Sequence, residues 1–217
     1  MEIDLLAKYP KTKRDSKSRG LNKTEEDRKI ARRFDRDFFD GDRKHGYGGF
    51  SYNPKYWEMV VKDFVSFYGL KPSSKILDVG CARGFMLYDF QNLNLNFELK
   101  GIDISPYAIS TSKEEVRSDL IVGNAKNLPF PDKEFDLVIS INTIHNLEKE
   151  DCGAAIREMS RVSKKNCYLT VDAFRNKEEE EAMYNWNLTA KTIMSKNEWL
   201  EFFKQYGYEG DYFWFIP

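Results

Sequence analysis

The segment Ser73–Phe85, SSKILDVGCARGF, places glycines where an apolar run gives way to a predicted helix. Gly80 and Gly84 allow a tight turn and a close approach of the backbone to a ligand, and the first N–H groups of the helix face that ligand. A dinucleotide loop would usually carry another glycine at the position of Ala82. Asp78 precedes the glycines, and its carboxylate would repel a pyrophosphate but suits a ligand with an ammonium group. The segment predicts a ligand-binding loop, although such glycines also occur in plain strand-to-helix turns.

A second acid, Asp103, lies 25 residues after Asp78, at the end of the next apolar run. An acidic side chain at that point can accept hydrogen bonds from ribose hydroxyls. The position of Asp103 therefore strengthens the prediction that the loop binds a ligand.

Alternating strands and helices must position these residues. From Lys75 onward the predicted strands are KILDV, FELKGIDI, DLIVGNA, FDLVISI and CYLTVDAF. Helical patterns separate most of them, which predicts an α/β fold: a Rossmann-like, doubly wound, mostly parallel sheet flanked by helices. Ligands bind such sheets at the carboxyl ends of the strands, so chemistry is expected there.

The order of these motifs resembles that of the class I S-adenosylmethionine-dependent methyltransferases, over about Lys75 to Phe174. ILDVGCARGF is similar to their first motif, GIDIS to the second, GNAKNLPFPDKEFDLVIS to the third and fourth, and TIHNLE…AIREMSRV to the segment beyond. The resemblance implies S-adenosylmethionine as cofactor and S-adenosylhomocysteine as product. The implied cofactor-binding residues are Asp78, Gly80, Ala82, Gly84, Asp103, Ile104, Asn124, Ala125 and Asn142.

Two of these residues depart from the family pattern. Ala82 replaces the middle glycine, and a single methyl group is small. Asn124 stands where an aspartate commonly contacts the adenine amino group, and an amide oxygen can accept the same hydrogen bond. We therefore expect cofactor binding to survive both departures.

A proton acceptor is needed only if the methyl acceptor must lose a proton. His145 follows the fourth predicted strand on the expected acceptor side and is the candidate catalytic base; a packing or helix-capping histidine is the alternative. Asp172, at the end of the fifth strand, either binds the acceptor or fixes a loop. Trp186 either lines the acceptor pocket or packs. The cysteines and the second histidine, His45, show no metal-ligand spacing, so no metal is expected.

Residues 1–53 are predicted to form an N-terminal extension, and residues 54–217 the methyltransferase domain. The extension contains a basic stretch, Lys11–Lys23, then one helix from Thr24 to Asp40. A loop rich in glycine and aromatic residues follows, and it is predicted to be a lid over cofactor and acceptor; a rigid aromatic brace is the alternative. The lid residues are Tyr47, Phe50, Tyr52 and Tyr56, of which Tyr47 and Tyr52 are predicted to bind substrate.

The domain is predicted to begin with a helix opened by Asn53-Pro54. Its inward-facing residues are predicted to be Trp57, Val60, Val61, Phe64 and Phe67. At the other end of the chain only one predicted strand, GDYFWFIP, follows the last helix. Either NWNLTAKT supplies another strand or the sheet is one strand short. An exposed edge would favour pairing with a second subunit, so a homodimer is predicted.

Three function classes remain open from the sequence. The first is a methyltransferase that modifies a hydroxyl, amine or carboxylate of a small polar metabolite, such as a sugar. The second, an RNA or protein methyltransferase, has slight support from Lys11–Lys23, but INTIHN replaces the Asn/Asp-Pro-Pro-aromatic tetrad of base-modifying relatives. The third is a non-catalytic cofactor-binding subunit, which the intact motifs disfavour.

Composition and charge limit the partners and the cellular compartment that can be expected. A net charge of −1 gives no general attraction to nucleic acid or to an anionic membrane, and no apolar run is long enough to span a bilayer. Three widely spaced cysteines argue against a disulfide framework and fit a reducing compartment. A cytoplasmic location is therefore expected.

Overall fold

The computed structural model describes residues 1–10, 23–48 and 51–216. Most of the basic stretch Lys11–Lys23 and Phe50 of the predicted lid lie outside the described residues.

A parallel sheet forms the centre of the molecule, as the sequence predicted. Within the described residues its strands are β1 (Lys75–Val79), β2 (Glu98–Asp103), β3 (Leu120–Val122), β4 (Phe135–Ile141), β5 (Ser163–Phe174), β6 (Met194–Ser195) and β7 (Asp211–Phe215). Their order is β3-β2-β1-β4-β5-β6, with β7 also paired to β5. The pairings between these strands are parallel.

Helices cover both faces of the sheet. They are α1 (Glu25–Ala31), α2 (Arg36–Asp40), α3 (Glu58–Tyr68), α4 (Phe85–Gln91), α5 (Pro106–Ser110), α6 (Lys149–Val162), α7 (Lys177–Trp186) and α8 (Lys196–Gln205), with 3₁₀ turns at Glu114–Asp119 and Ile144–Asn146. Neighbouring β1 residues enter opposite cores: Ile76 joins the core of α3 and α4, and Leu77 joins that of α6 and α8. A strand buried on both faces accounts for the continuous apolar run in the sequence.

The helix predicted from Thr24 to Asp40 is two helices. The Thr24 hydroxyl and the Asp27 carboxylate form the predicted capping box at the start of α1. Phe34 then takes a φ of 51°, which a continuous helix does not allow. The Ser105 hydroxyl donates a hydrogen bond to the Phe34 carbonyl, so the break ties this segment to the start of α5.

Two further expectations need correction. Phe67, predicted to face inward on α3, is 40% exposed. The stretch NWNLTAKT does not form a strand, because Trp186 ends α7 and the next residues form a turn closed by Asn187 and Ala190. The last strand of the chain, β7, pairs with β5 in parallel orientation.

Residues at the start of the chain lie along β7. The Ile3 N–H donates to the Tyr212 carbonyl at 2.9 Å, and the Tyr212 N–H donates to the Met1 carbonyl at 3.0 Å. The Met1 ammonium forms an ion pair with Asp211 at 2.7 Å. The edge on which the homodimer prediction rested is therefore occupied, over this length, by the chain itself.

Across the parts of the chain that the structure describes, no helix has the length and apolar character that crossing a bilayer requires.

Candidate active site

A cavity of about 640 Å³ lies at the carboxyl ends of β1, β2, β4, β5 and β7. The cavity extends over the strand ends at which ligand-binding residues were expected from the sequence. Eleven of the predicted site residues line it: Tyr47, Gly80, Ala82, Asp103, Ile104, Asn124, Ala125, Asn142, His145, Asp172 and Trp186. Its volume falls within the range of about 300–1,000 Å³ that is usual for small-molecule sites.

The glycine-bearing loop after β1 has the conformation its sequence suggested. Gly80 has a φ of 88°, and a Cβ there would lie 2.1 Å from Thr143 Oγ1, so a side chain is excluded. Ala82 has a φ of 47°, in the left-handed region that glycine would occupy more easily. Its methyl group does not prevent the turn.

Asp103 is held by the backbone at the end of β2. Its Oδ2 accepts from the Ala82 N–H and its Oδ1 from the Ser105 N–H, each at 2.8 Å. Burial raises the pKa of this carboxyl, and the two backbone hydrogen bonds oppose the shift. Carboxylate oxygens have further lone pairs, so Asp103 can also accept from the hydroxyls of a ribose.

Asp78 and Gly84 lie outside the residues that line the cavity. Asp78 is buried in β1 beside the loop, and burial together with the charge of Asp103 raises its pKa to about 8. Gly84 precedes α4 with a φ of 71°, and a Cβ there would lie 2.9 Å from a methyl group of Leu120. Both residues therefore support the loop without bordering the cavity.

Asn124 and Asn142 follow β3 and β4 and line the cavity. The Asn124 Oδ1 accepts from the Lys126 N–H at 3.1 Å, which leaves a second lone pair on this oxygen. The Asn142 Oδ1 accepts from the Thr170 hydroxyl at 2.8 Å, so its side chain is fixed against β5.

The residues present fit S-adenosylmethionine. The backbone turn at Gly80 and Ala82 leaves the loop open to the cavity, and Asp103 is a half-buried acceptor of hydrogen bonds, fixed at the neighbouring strand end. Asn124 adds an amide beside it. These groups match the methionine, ribose and adenine parts of the cofactor in the order that the resemblance implies.

His145 is buried and makes two contacts with Asp172. Its Nδ1 accepts from the Asp172 N–H at 3.3 Å, and its Nε2 lies 3.6 Å from Asp172 Oδ2. Burial lowers the pKa of His145, and the charge of Asp172 opposes that shift. While Nδ1 accepts this bond, a neutral imidazole carries its proton on Nε2, toward the Asp172 carboxylate. This geometry favours a role for His145 in orienting Asp172 over direct proton abstraction.

Aromatic rings form the wall near Asp172. Tyr47 and Trp186 stack with ring centroids 5.8 Å apart, and Trp186 packs on Phe215 at 5.9 Å. The Tyr47 hydroxyl accepts from the N–H groups of Leu188 and Thr189 at 2.8 and 3.2 Å. Phe215 was missed from the sequence, because only the parallel pairing of β7 with β5 brings it beside Asp172.

Tyr52 does not reach the cavity. Its hydroxyl donates to Asp89 at 2.6 Å, and its ring packs on Phe85 and Tyr88. The structure thus places Tyr52 against α4, apart from the other predicted substrate-binding residues. Tyr56, in contrast, lines the cavity.

The α1–α2 segment contributes Phe34, Phe38 and Phe39 to the cavity wall. Asp40 at the end of α2 pairs with Arg83 in the glycine-bearing loop and accepts from the Tyr107 hydroxyl at 2.7 Å. These contacts fix the segment to the same loop that borders the cavity.

The fold and this site define an α/β protein with a cavity of small-molecule size at the carboxyl end of a parallel sheet. Residues 77–171 match a protein family described as "Methyltransferase domain". Residues 77–171 therefore carry a methyltransferase domain. The parallel sheet agrees with the class I S-adenosylmethionine-dependent type that the motifs resemble.

Similar proteins include a demethylmenaquinone methyltransferase of Bacillus cytotoxicus, 34% identical over 48% of this chain and 46% of that protein. Ajmaline N-methyltransferase of Rauvolfia serpentina is 34% identical over 43% of this chain and 33% of that protein. This chain thus spans half or less of the length of these two relatives. Among solved structures, the YcgJ protein from Bacillus subtilis shares the fold with a TM-score of 0.56 at 20% identity, covering 66% of this chain and 65% of that one.

Proposed function

We propose that this protein transfers the methyl group of S-adenosylmethionine to a small-molecule acceptor. One observation carries the proposal: a single cavity joins the glycine-bearing loop and Asp103 to His145, Asp172 and the aromatic wall. The cofactor side and the acceptor side of a methyl transfer would then share one cavity, which holding two reactants in line requires.

On the cofactor side, Gly80 and Ala82 would border the methionine part, Asp103 would bind the ribose, and Asn124 would lie beside the adenine. Asn142, fixed by Thr170, would border the space between cofactor and acceptor. S-adenosylmethionine supplies the methyl group on a positively charged sulfur. The protein's own contribution is to position the acceptor and to exclude water.

On the acceptor side, we assign any proton acceptance to the Asp172 carboxylate, with His145 as the residue that positions it. The Nδ1 bond from the Asp172 N–H and the approach of Nε2 to Oδ2 support this division of roles. Where the acceptor is already neutral and nucleophilic, the pair would serve only to orient it.

The sequence left three acceptor groups open: hydroxyl, amine and carboxylate. Hydroxyl groups, including those of a sugar, and amines fit the combination of aromatic rings and hydrogen-bonding side chains. The wall formed by α1 and α2 favours a small acceptor over RNA or protein.

The names of two relatives mention two acceptors, demethylmenaquinone and ajmaline. Both are small molecules, which supports this part of the proposal. The same proposal includes a methyltransferase domain at residues 54–217 and a lid formed by the loop rich in glycine and aromatic residues that precedes it.

Calorimetry with S-adenosylhomocysteine tests the cofactor assignment. We expect wild-type protein to bind it, and the variant Asp103→Ala to bind at least about 10-fold more weakly, since two backbone-held acceptors are lost. Asp119→Ala is the matched control, because Asp119 pairs with Lys100 of β2 and neither residue lines the cavity. Failure of the wild type to bind, or unchanged binding by Asp103→Ala, would contradict the proposal. A metabolite screen with labelled S-adenosylmethionine would then identify the acceptor.

A further inference from the structure

The turn that follows β4 carries an asparagine whose amide oxygen has no hydrogen-bond partner. Asn146 ends the 3₁₀ turn Ile144–Asn146 and, like the adjacent His145, lines the cavity. Its Oδ1 is buried, and none of the residues that the structure describes donates a hydrogen bond to it. Since most buried polar atoms of proteins are hydrogen-bonded, an acceptor left without a donor in a cavity wall is a candidate ligand contact.

The side-chain amide of Asn146 has a defined orientation. Its Nδ2 donates to the Asn142 carbonyl at 3.4 Å. The reverse orientation would bring Oδ1 against that carbonyl oxygen, and neither atom can donate a hydrogen. Oδ1 is therefore the atom that is left to accept a bond. The bond from Nδ2 is long, so the amide can turn about its last side-chain torsion to meet a ligand.

The backbone on both sides of Asn146 is fixed to the loop that precedes β6. The His145 carbonyl accepts from the N–H groups of Lys191 and Thr192, each at 3.0 Å. The Thr192 hydroxyl donates to the Leu147 carbonyl at 2.8 Å. These bonds hold the turn at the cavity wall, so the position of Asn146 is set before any ligand binds.

Lys191 brings a cation to the same part of the wall. It lines the cavity, and its ammonium pairs with Glu148 at 3.0 Å. Glu148 directly precedes α6, so the charge of Lys191 is directed to the start of that helix. A group inside the cavity can then supply the donor that Asn146 lacks.

We propose that Asn146 is a specificity-determining residue, which accepts a hydrogen bond from an O–H or N–H group of the methyl acceptor. The inference rests on the proposed function, since it assigns a contact at the acceptor end of the same cavity. An ionised carboxylate has no hydrogen to donate, so the hydroxyl and the amine fit this contact. A site that hydrogen-bonds a substrate group discriminates against analogues that lack the group, because its own polar atom is then left unpaired.

Matched pairs of small probes test the requirement for a donor. Phenol and anisole test an O–H donor, and indole and 1-methylindole test an N–H donor. In each pair a methyl group replaces the donated hydrogen. Binding is measured by ligand-observed NMR in the presence and absence of S-adenosylhomocysteine. We expect at least one donor probe to bind about 10-fold more tightly than its methylated partner.

Variants assign the preference to the amide oxygen. Asn146→Leu replaces the amide by an apolar group of similar size and is expected to remove most of the preference. Asn146→Asp retains an acceptor oxygen and is expected to keep it. Asn166→Leu is the matched control, because this half-buried asparagine also donates to a backbone carbonyl, that of Asp136 at 3.1 Å, but does not line the cavity.

Calorimetry with S-adenosylhomocysteine checks the fold and the cofactor end of the cavity in each variant, and affinities within about 2-fold of the wild type are expected. No preference for the donor probe in either pair, including a lack of binding, would overturn the inference. A preference that survives in Asn146→Leu or disappears in Asn146→Asp would also overturn it, as would a loss of S-adenosylhomocysteine binding in Asn146→Leu alone. These outcomes leave the proposed function in place. Absence of S-adenosylhomocysteine binding in the wild type would instead overturn the proposed function, and the probe preference of the free protein would still report on Asn146.

Discussion

Ala82 illustrates how one side chain can be tolerated in a position that favours glycine. Its backbone has a φ of 47°, and its N–H donates to Asp103 at 2.8 Å. The hydrogen bond holds the left-handed conformation in place, whereas at Gly80 an added Cβ would collide with Thr143. The two positions therefore favour glycine for different reasons. At residue 82 the reason is the left-handed backbone conformation alone, whereas at residue 80 the lack of space for a Cβ adds to it.

The first prediction follows from the strain at Ala82. The variant Ala82→Gly is expected to raise the free energy of unfolding by about 1 kcal/mol, because glycine adopts the left-handed region without a Cβ penalty. Urea denaturation measures the change, and S-adenosylhomocysteine affinity should stay within about 2-fold of the wild type. A less stable variant would show that the methyl group of Ala82 makes packing contacts that outweigh the strain.

Asp78 gives a second prediction, on pH. Its pKa is raised from 3.8 to about 8 by burial and by Asp103, so the folded protein retains a proton that the unfolded chain releases. Between these two values the folded state binds more protons, and the free energy of unfolding therefore falls as the pH rises. Asp78→Asn is expected to remove this part of the pH dependence and to be more stable than the wild type near the upper end of that range.

Asp136 is the control for that experiment because its pKa moves the other way. Burial raises the pKa of Asp136, but hydrogen bonds from Lys164 and from the Lys75 N–H outweigh burial and lower it. Asp136→Asn should destabilise the protein at neutral pH and have less effect in acid. Urea titrations across the pH range compare the two variants, and the same pH slope in both would contradict the assignment to Asp78.

At the scale of elements, α1 and α2 form a cover that is fixed between the two helices and at the end of α2. Ser105 holds the break at Phe34, and Arg83 with Tyr107 holds the end of α2 through Asp40. Phe34, Phe38 and Phe39 then present their rings to the cavity. The cover is thereby linked to the loop proposed to bind the cofactor.

This link predicts an effect on ligand release. Asp40→Ala removes the contacts to Arg83 and Tyr107 and is expected to speed dissociation of S-adenosylhomocysteine several-fold, because opening of the cover no longer breaks them. Stopped-flow displacement measures the rate. Asp37→Ala, an exposed position on the same helix, serves as the control. Equal dissociation rates in the wild type and Asp40→Ala would show that α2 does not control access.

At the scale of the whole molecule, the first residues of the chain pair with the last strand, β7, and cover its outer edge. Met1 and Ile3 pair with Tyr212, and the buried side chain of Leu5 joins the core of α3 and α4. Removal of residues 1–6 would uncover part of β7 and the apolar surface beneath. Unpaired strand edges promote association between chains.

Deletion of residues 1–6 is expected to lower the thermal midpoint and to increase self-association, measured by light scattering over a range of concentrations. The full chain, measured in parallel, tests the homodimer that the sequence predicted. A deleted chain that keeps the mass and thermal midpoint of the full chain would show that residues 1–6 do not protect β7.

Local patterns were enough to predict much of this protein. The apolar runs of β1, β2 and β4, the capping box of Thr24 and Asp27, and the acids at strand ends depend on residues close in sequence. Parallel strands bring their carboxyl ends to one edge of the sheet. The sequence alone therefore predicts a single cavity for the residues at these strand ends, which are Asp103, Asn124, Asn142, His145 and Asp172.

Only the tertiary structure decided the rest, because those features depend on contacts between distant residues. The helix break at Phe34 is fixed by Ser105, and Tyr52 is held by Asp89 instead of facing the cavity. The parallel pairing of β7 with β5 puts Phe215 beside Asp172 and leaves the outer edge of β7 to residues 1–3. Such pairings depend on which surfaces come into contact in the folded chain, and neither residue spacing nor secondary-structure propensity predicts these contacts. The sequence by itself determined the sheet and the glycine-bearing loop, and the packing of distant segments determined the aromatic end of the cavity.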